Sequence, residues 1–150
     1  MADILRLDAS WIYKVSVLSD LVSRRVAHVV GKVSGLNLSQ WRVLAAIADL
    51  PGRTASEVVA VTPMDKGIVS RAVATLVERG LATRKASNSD GRLSHLHLTA
   101  KGRSTYARIM AALRESGTTG DKLLGARDAD RLLGQLDAAI AAYRKLPPAN

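Results

Sequence analysis

Two helix-start signals stand so close together that only one short helix fits between them, and this spacing limits the fold more than any other feature. The first is Thr54-Ala55-Ser56-Glu57. It has the form of a capping box: the Thr54 hydroxyl accepts from the Glu57 amide, and the Glu57 carboxylate accepts from the Thr54 amide. The helix it starts is expected to reach about Val61. The second signal is Thr62-Pro63-Met64-Asp65. Here Thr62 is the expected cap, and Pro63 takes the first helical position, where a missing N–H costs nothing. Asp65 sits in the first turn, against the helix dipole. This second helix is expected to run to Arg79, with Gly80 as a left-handed stop and Leu81 folding back on the last turn.

A hairpin signal follows at once. Leu81–Lys85 and Leu93–Leu98 are short, partly alternating runs, separated by the turn formers Ala86-Ser87-Asn88-Ser89-Asp90-Gly91-Arg92. Two capped helices across a turn of roughly three or four residues, then a hairpin, predict a winged helix-turn-helix. In that motif the second helix enters the DNA major groove and the hairpin lies over the backbone or minor groove.

The flanking segments read as helices. Trp11, Val15, Leu18, Val22, Val26, Val29 and Val33 recur at steps of three or four between Asp8 and Gly35, with Gly35 and Asn37 ending the run. A helix of that length has more apolar face than so small a domain can cover. It needs the C-terminal helices or a second subunit. Ser39 is the expected cap of a helix to Asp49, with Trp41, Leu44, Ile47 and Ala48 inward and Pro51-Gly52 closing it. Thr99 caps a helix to about Glu115 with Tyr106, Ile109, Met110 and Leu113 inward. Gly117–Gly125 reads as loose, and a last helix spans about Asp128 to Arg144 with Leu133, Leu136, Ile140 and Tyr143 on one face. The fold class is therefore mainly α. The chain has no Phe and few other aromatics, so the core must be aliphatic.

The formal net charge of +9 favours a polyanionic partner. Basic solubility alone is the bland alternative, so position has to decide. On the second helix, Val69, Val73 and Leu76 fall on one side. Met64, Gly67, Arg71 and Thr75 fall opposite, Ile68 and Ala72 on one flank, and Ser70 on the other. Arg71 can bond guanine O6 and N7 bidentately. Gly67 leaves the approach open, and Thr62, Lys66 and Ser70 can reach phosphates. Arg84 and Lys85 add charge on the first strand. At the tip, Asp90 can hold Arg92, which suits a narrow minor groove.

Four segments together resemble the MarR (multiple-antibiotic-resistance regulator) family: Thr62 through Arg71, Leu76 through Leu81 with Glu78-Arg79-Gly80-Leu81, Asp90-Gly91-Arg92, and Leu98-Thr99-Ala100-Lys101-Gly102. The resemblance implies a homodimer formed by the first and last two helices, with residues 1–36 and 100–150 as dimerisation helices. Residues 37–99 would be the DNA-binding region of one intertwined domain. It also implies Arg71 in the major groove, Arg92 steadied by Asp90 at the wing, and regulation by a small aromatic or anionic effector. The expected function is a DNA-binding regulator, most simply a repressor, on a pseudo-palindromic operator.

Trp11, Tyr13, His28, Trp41 and Arg42 are the candidate effector residues, since polar-tipped helix residues suit an aromatic acid. The competing reading makes the two Trp residues core anchors. His95 and His97 share a strand face, yet with no Cys and His28 far off they read as surface residues rather than metal ligands. No cofactor is expected. No Gly-x-Ser-x-Gly, phosphate loop, His-Glu-x-x-His or framed carboxylate pair occurs, so an enzyme is not expected. An interaction module that kept the winged fold is the alternative, because Gly67, Ile68 and Ala72 put few polar groups outward. The absence of Cys, of a signal-peptide pattern before Ser10 and of a membrane-length apolar run makes the cytoplasm the expected location.

Overall fold

The computed structural model describes residues 6–87 and 94–147. After a single 3-10 turn at Leu7–Ala9, the elements are α1 (Trp11–Ser34), α2 (Leu38–Asp49), α3 (Ala55–Val61), α4 (Lys66–Glu78), β1 (Ala82–Ala86), β2 (Ser94–Leu98), α5 (Ala100–Glu115), α6 (Gly120–Leu124) and α7 (Ala126–Tyr143). This is the mainly helical, winged-helix architecture that the capping signals predict. The chain divides into two compact units, Met1–Leu113 and Arg114–Asn150.

In the first unit, α2 packs on α1, α3 and α4, and β2 lies against α2. The core is aliphatic, as a chain without Phe requires: Val30, Leu36, Val43, Leu44, Ile47, Val58, Val69, Val73, Leu76, Leu96 and Ile109 are all fully enclosed. β1 and β2 pair antiparallel with Ala82 opposite Leu98 and Arg84 opposite Leu96. The loop after α2 extends this ladder. Gly52 N–H donates to Leu96 O, and Leu96 N–H donates to Arg53 O, both at 2.9 Å. His95 Nδ1 lies 2.7 Å from Gly52 O. His95 and His97 are thus half-buried against the fold rather than free on its surface.

Two expected caps are displaced. Asn37, not Ser39, caps α2, in a reciprocal box with Gln40. Its short amide side chain reaches the third helical amide, which Ser39, inside the first turn, cannot do. Likewise Asp65 rather than Thr62 caps α4, accepting from Ile68 N–H at 2.8 Å. Thr62 instead donates to Val58 O at 2.7 Å at the end of α3. The Thr54–Glu57 box forms as expected. The backbone N–H of Thr54, then its hydroxyl, hold the Glu57 carboxyl below its ordinary value.

α4 ends in the expected left-handed stop. Gly80 has φ +67. Its N–H donates to Val77 O, and Leu81 N–H donates to Leu76 O, the paired bonds of a Schellman end. Thr99 caps α5 through Gly102 N–H and also donates to Gly80 O.

α1 buries only its last turns, at Val29 and Val30. Trp11, Ile12, Val15, Leu18, Leu21 and Val22 are exposed in the single chain. In the second unit the stretch expected to be loose contains α6, and α7 leaves Leu133, Ile140 and Tyr143 exposed. Among the described residues no helix is long and apolar enough to cross a membrane.

Candidate nucleic-acid interface

Helix α4 presents two unlike sides. Val69, Ala72, Val73 and Leu76 are sealed in the core, while Lys66, Gly67, Ser70 and Arg71 are exposed. Side chains on a helix lean toward its N-terminus, and Arg71 does so over Gly67. A β-carbon built on Gly67 would lie 3.4 Å from Arg71 Nη1 and 3.3 Å from Asp65 Oδ1. Gly67 therefore leaves open the space through which the Arg71 guanidinium extends. Thr75 Oγ1 donates to Arg71 O at 3.1 Å, so this hydroxyl is engaged with its own helix. A groove of about 380 Å³ runs beside Arg71, between Asn37, Ser39 and Gln40 at the start of α2 and Ile68, Ala72 and Thr75 on α4.

Not every residue expected on this face is there. Met64 is only 9% exposed and belongs to the core cluster. A helical wheel places it outward, but the helix begins at Lys66, so the wheel does not extend to it. Ala72 is buried and Ile68 partly so, both packed into the core cluster. The apolar content of the outer face is thus smaller than the sequence suggests. Thr62 is half-buried with its hydroxyl engaged as described. Arg84 and Lys85 are exposed on β1. Asp90 and Arg92 lie outside the described residues.

The five candidate effector residues do not form one pocket within a chain. Trp11 and His28 lie on one helix at a separation of about 25 Å by helical rise. Trp11 is 52% exposed, so it is no core anchor of the single chain, and Tyr13 and His28 are exposed too. Trp41 is the anchor: it is buried and stacks on Tyr106, with ring centroids 5.6 Å apart. Arg42 donates to Ser23 Oγ at 3.2 Å and ties α2 to α1. A cavity of about 330 Å³ lies elsewhere, lined by Ile47, Ala48, Pro51, His97, Leu98, Arg103 and Tyr106. Nothing in the local spacing of these residues marks it, because it is assembled from α2, β2 and α5. Among the described residues no three His, Cys, Asp or Glu side chains converge.

Residues 34–93 match the sequence profile of the MarR family. Over nearly its whole length the chain is also similar to the transcriptional repressor CouR, solved on a 23-mer DNA duplex. The identity is 30%, the TM-score 0.77, and the match covers 94% of this chain and 99% of CouR. The chain belongs to the MarR family. As a MarR-family transcription regulator it has further relatives. CouR bound to p-coumaroyl-CoA matches at 28% identity and TM-score 0.73, covering 97% of this chain and 100% of that one. A Thauera aromatica protein described as a transcriptional regulatory protein for the hcr operon is 27% identical over 113 residues, 75% of this chain and 68% of its own length.

Proposed function

We propose that this MarR-family regulator acts as a homodimeric repressor that reads a pseudo-palindromic operator and leaves it when a small-molecule effector binds. The observation that carries the reading is the exposed Lys66–Gly67–Ser70–Arg71 face of α4, on a helix whose other side is fixed in the core. Arg71 reads a base edge, while Lys66 and Ser70 set the helix against the backbone; the hydroxyls of Thr62 and Thr75 are already given to Val58 O and Arg71 O. Arg84, Asp90 and Arg92 serve the wing. The exposed apolar residues of α1 and of α7 are the dimer surfaces, in segments 1–36 and 100–150, and the half-sites lie about one helical turn apart. Similarity to CouR, a repressor solved both with DNA and with an acyl-coenzyme A, supports repression and release. No catalytic step belongs to this reading.

Release requires that the effector prefer a dimer with misplaced reading helices, since a ligand with equal affinity for both states shifts nothing. The test is recovery of sheared source-genome fragments at physiological salt by wild type and by Arg71→Ala. One or a few enriched sites, lost in the variant at a cost of about 1–3 kcal/mol, are expected. Uniform recovery would overturn sequence reading and favour an interaction module.

A further inference from the structure

We propose that Arg79 is a positioning residue for the reading helix: its guanidinium clasps the carbonyl end of α1 and thereby fixes α4 relative to it. The last carbonyls of any helix have no partner within the helix. At the end of α1, Ser34 O accepts from Arg79 Nη2 at 2.9 Å and Gly35 O accepts from Arg79 Nη1 at 3.2 Å. The cation also stands at the negative end of a 24-residue helix. Gly35 has φ +65, which turns its backbone sharply there, and a β-carbon on it would lie 3.8 Å from Arg79 Nη2.

The backbone of Arg79 is at the same time the C-cap of α4, donating to Thr75 O at 2.9 Å. Its carbonyl accepts from Lys101 Nζ at 2.9 Å, in the first turn of α5. Thr99 donates to the neighbouring Gly80 O at 2.7 Å. Three helix ends therefore meet at Arg79 and Gly80: α1 through a side chain, α4 through the main chain, and α5 through its first turn. α1 packs on α2, and α2 packs on α4. Arg79 adds a direct polar link between the ends of the first and fourth helices. A change in the position of α1 is then passed to α4 without first repacking the core. A planar guanidinium can fork onto two carbonyls from two nitrogens, which an ammonium cannot do with the same geometry.

This inference rests on the operator reading above, so its test has one arm without DNA. In the free protein, amide hydrogen exchange is measured for wild type, Arg79→Ala and Arg79→Lys, with circular dichroism to show that each is folded. Faster exchange in Arg79→Ala around residues 34–36 and 79–81 is expected, with Arg79→Lys between the two. Unchanged exchange would overturn the tie whatever the protein does with DNA. In the second arm, the duplex enriched by wild type is compared with a scrambled duplex of the same composition across a salt series. Arg79→Ala should weaken the enriched duplex about tenfold, with the scrambled duplex and the salt slope unchanged. Equal losses on both duplexes with a slope reduced by about one would make Arg79 a phosphate contact and overturn the proposal. Unchanged affinity on both would overturn positioning and leave a stabilising clasp. Equal wild-type affinity for both duplexes would overturn the operator reading and this role with it.

Discussion

Gly102 sits against the main chain of Leu81 so closely that a β-carbon there would overlap the Leu81 carbonyl oxygen and stand 3.0 Å from its carbon. This contact seats the first turn of α5 on the segment that leads from α4 into β1. The obstacle is backbone, held by the Thr99 N–H donating to Leu81 O at 3.1 Å, so it cannot swing aside as a side chain would. Gly102→Ala is expected to destabilise the fold by about 1–3 kcal/mol, the usual cost of overpacking. Urea unfolding measures this, and a midpoint equal to wild type would show that the joint can open.

The Trp41–Tyr106 stack joins α2 to α5. Its own contribution, apart from area burial, should be about 0.5–1.5 kcal/mol. A double-mutant cycle with Trp41→Leu and Tyr106→Leu isolates it. Additive losses would mean that the rings only fill space.

Glu57 gives the fold an acid-sensitive helix start. Its carboxyl is held below 4.5, the ordinary value, by bonds to Thr54. A depressed carboxyl contributes stability that is present above its unfolded value and disappears as pH falls through the folded one. Glu57→Gln keeps an acceptor but removes the charge. It should be less stable than wild type at pH 7, and the difference should shrink as pH falls below about 4.5. A difference that stays constant from pH 7 to pH 3 would show that the charge plays no part.

On α1, Leu21 is 54% exposed within one chain. Burying a glutamate in an apolar interface without a partner is costly, so Leu21→Glu should shift the sedimenting species from a dimer toward the 16.0 kDa chain. A dimer of undiminished strength would place the interface elsewhere.

Much of the reading head was legible in the sequence because its signals are local. The Thr54–Glu57 box, the Gly80 stop, the Thr99 cap and the hairpin each depend on groups within a few residues of one another. The buried stripe of Val69, Val73 and Leu76 was legible as well, since a helix repeats its faces at a fixed angle. The structure departs from the sequence pattern where local rules compete. Asn37 and Ser39 are both capping types, as are Thr62 and Asp65, and the side chain that reaches a free amide depends on where the first turn closes. That choice also moved Met64 from the outer face into the core.

The sequence by itself determined the order of elements, the aliphatic composition of the core and the basic residues available to α4. Only the tertiary structure decided which of two tryptophans is an anchor, that His95 and His97 lie against the fold, and that Arg79 spans two helix ends. The physical reason is range. Caps and turns are settled by hydrogen bonds between near neighbours, whereas Trp41 on Tyr106 and Arg79 on Ser34 and Gly35 join residues far apart in the chain. Such contacts exist only once the core of α2, α4 and β2 has closed.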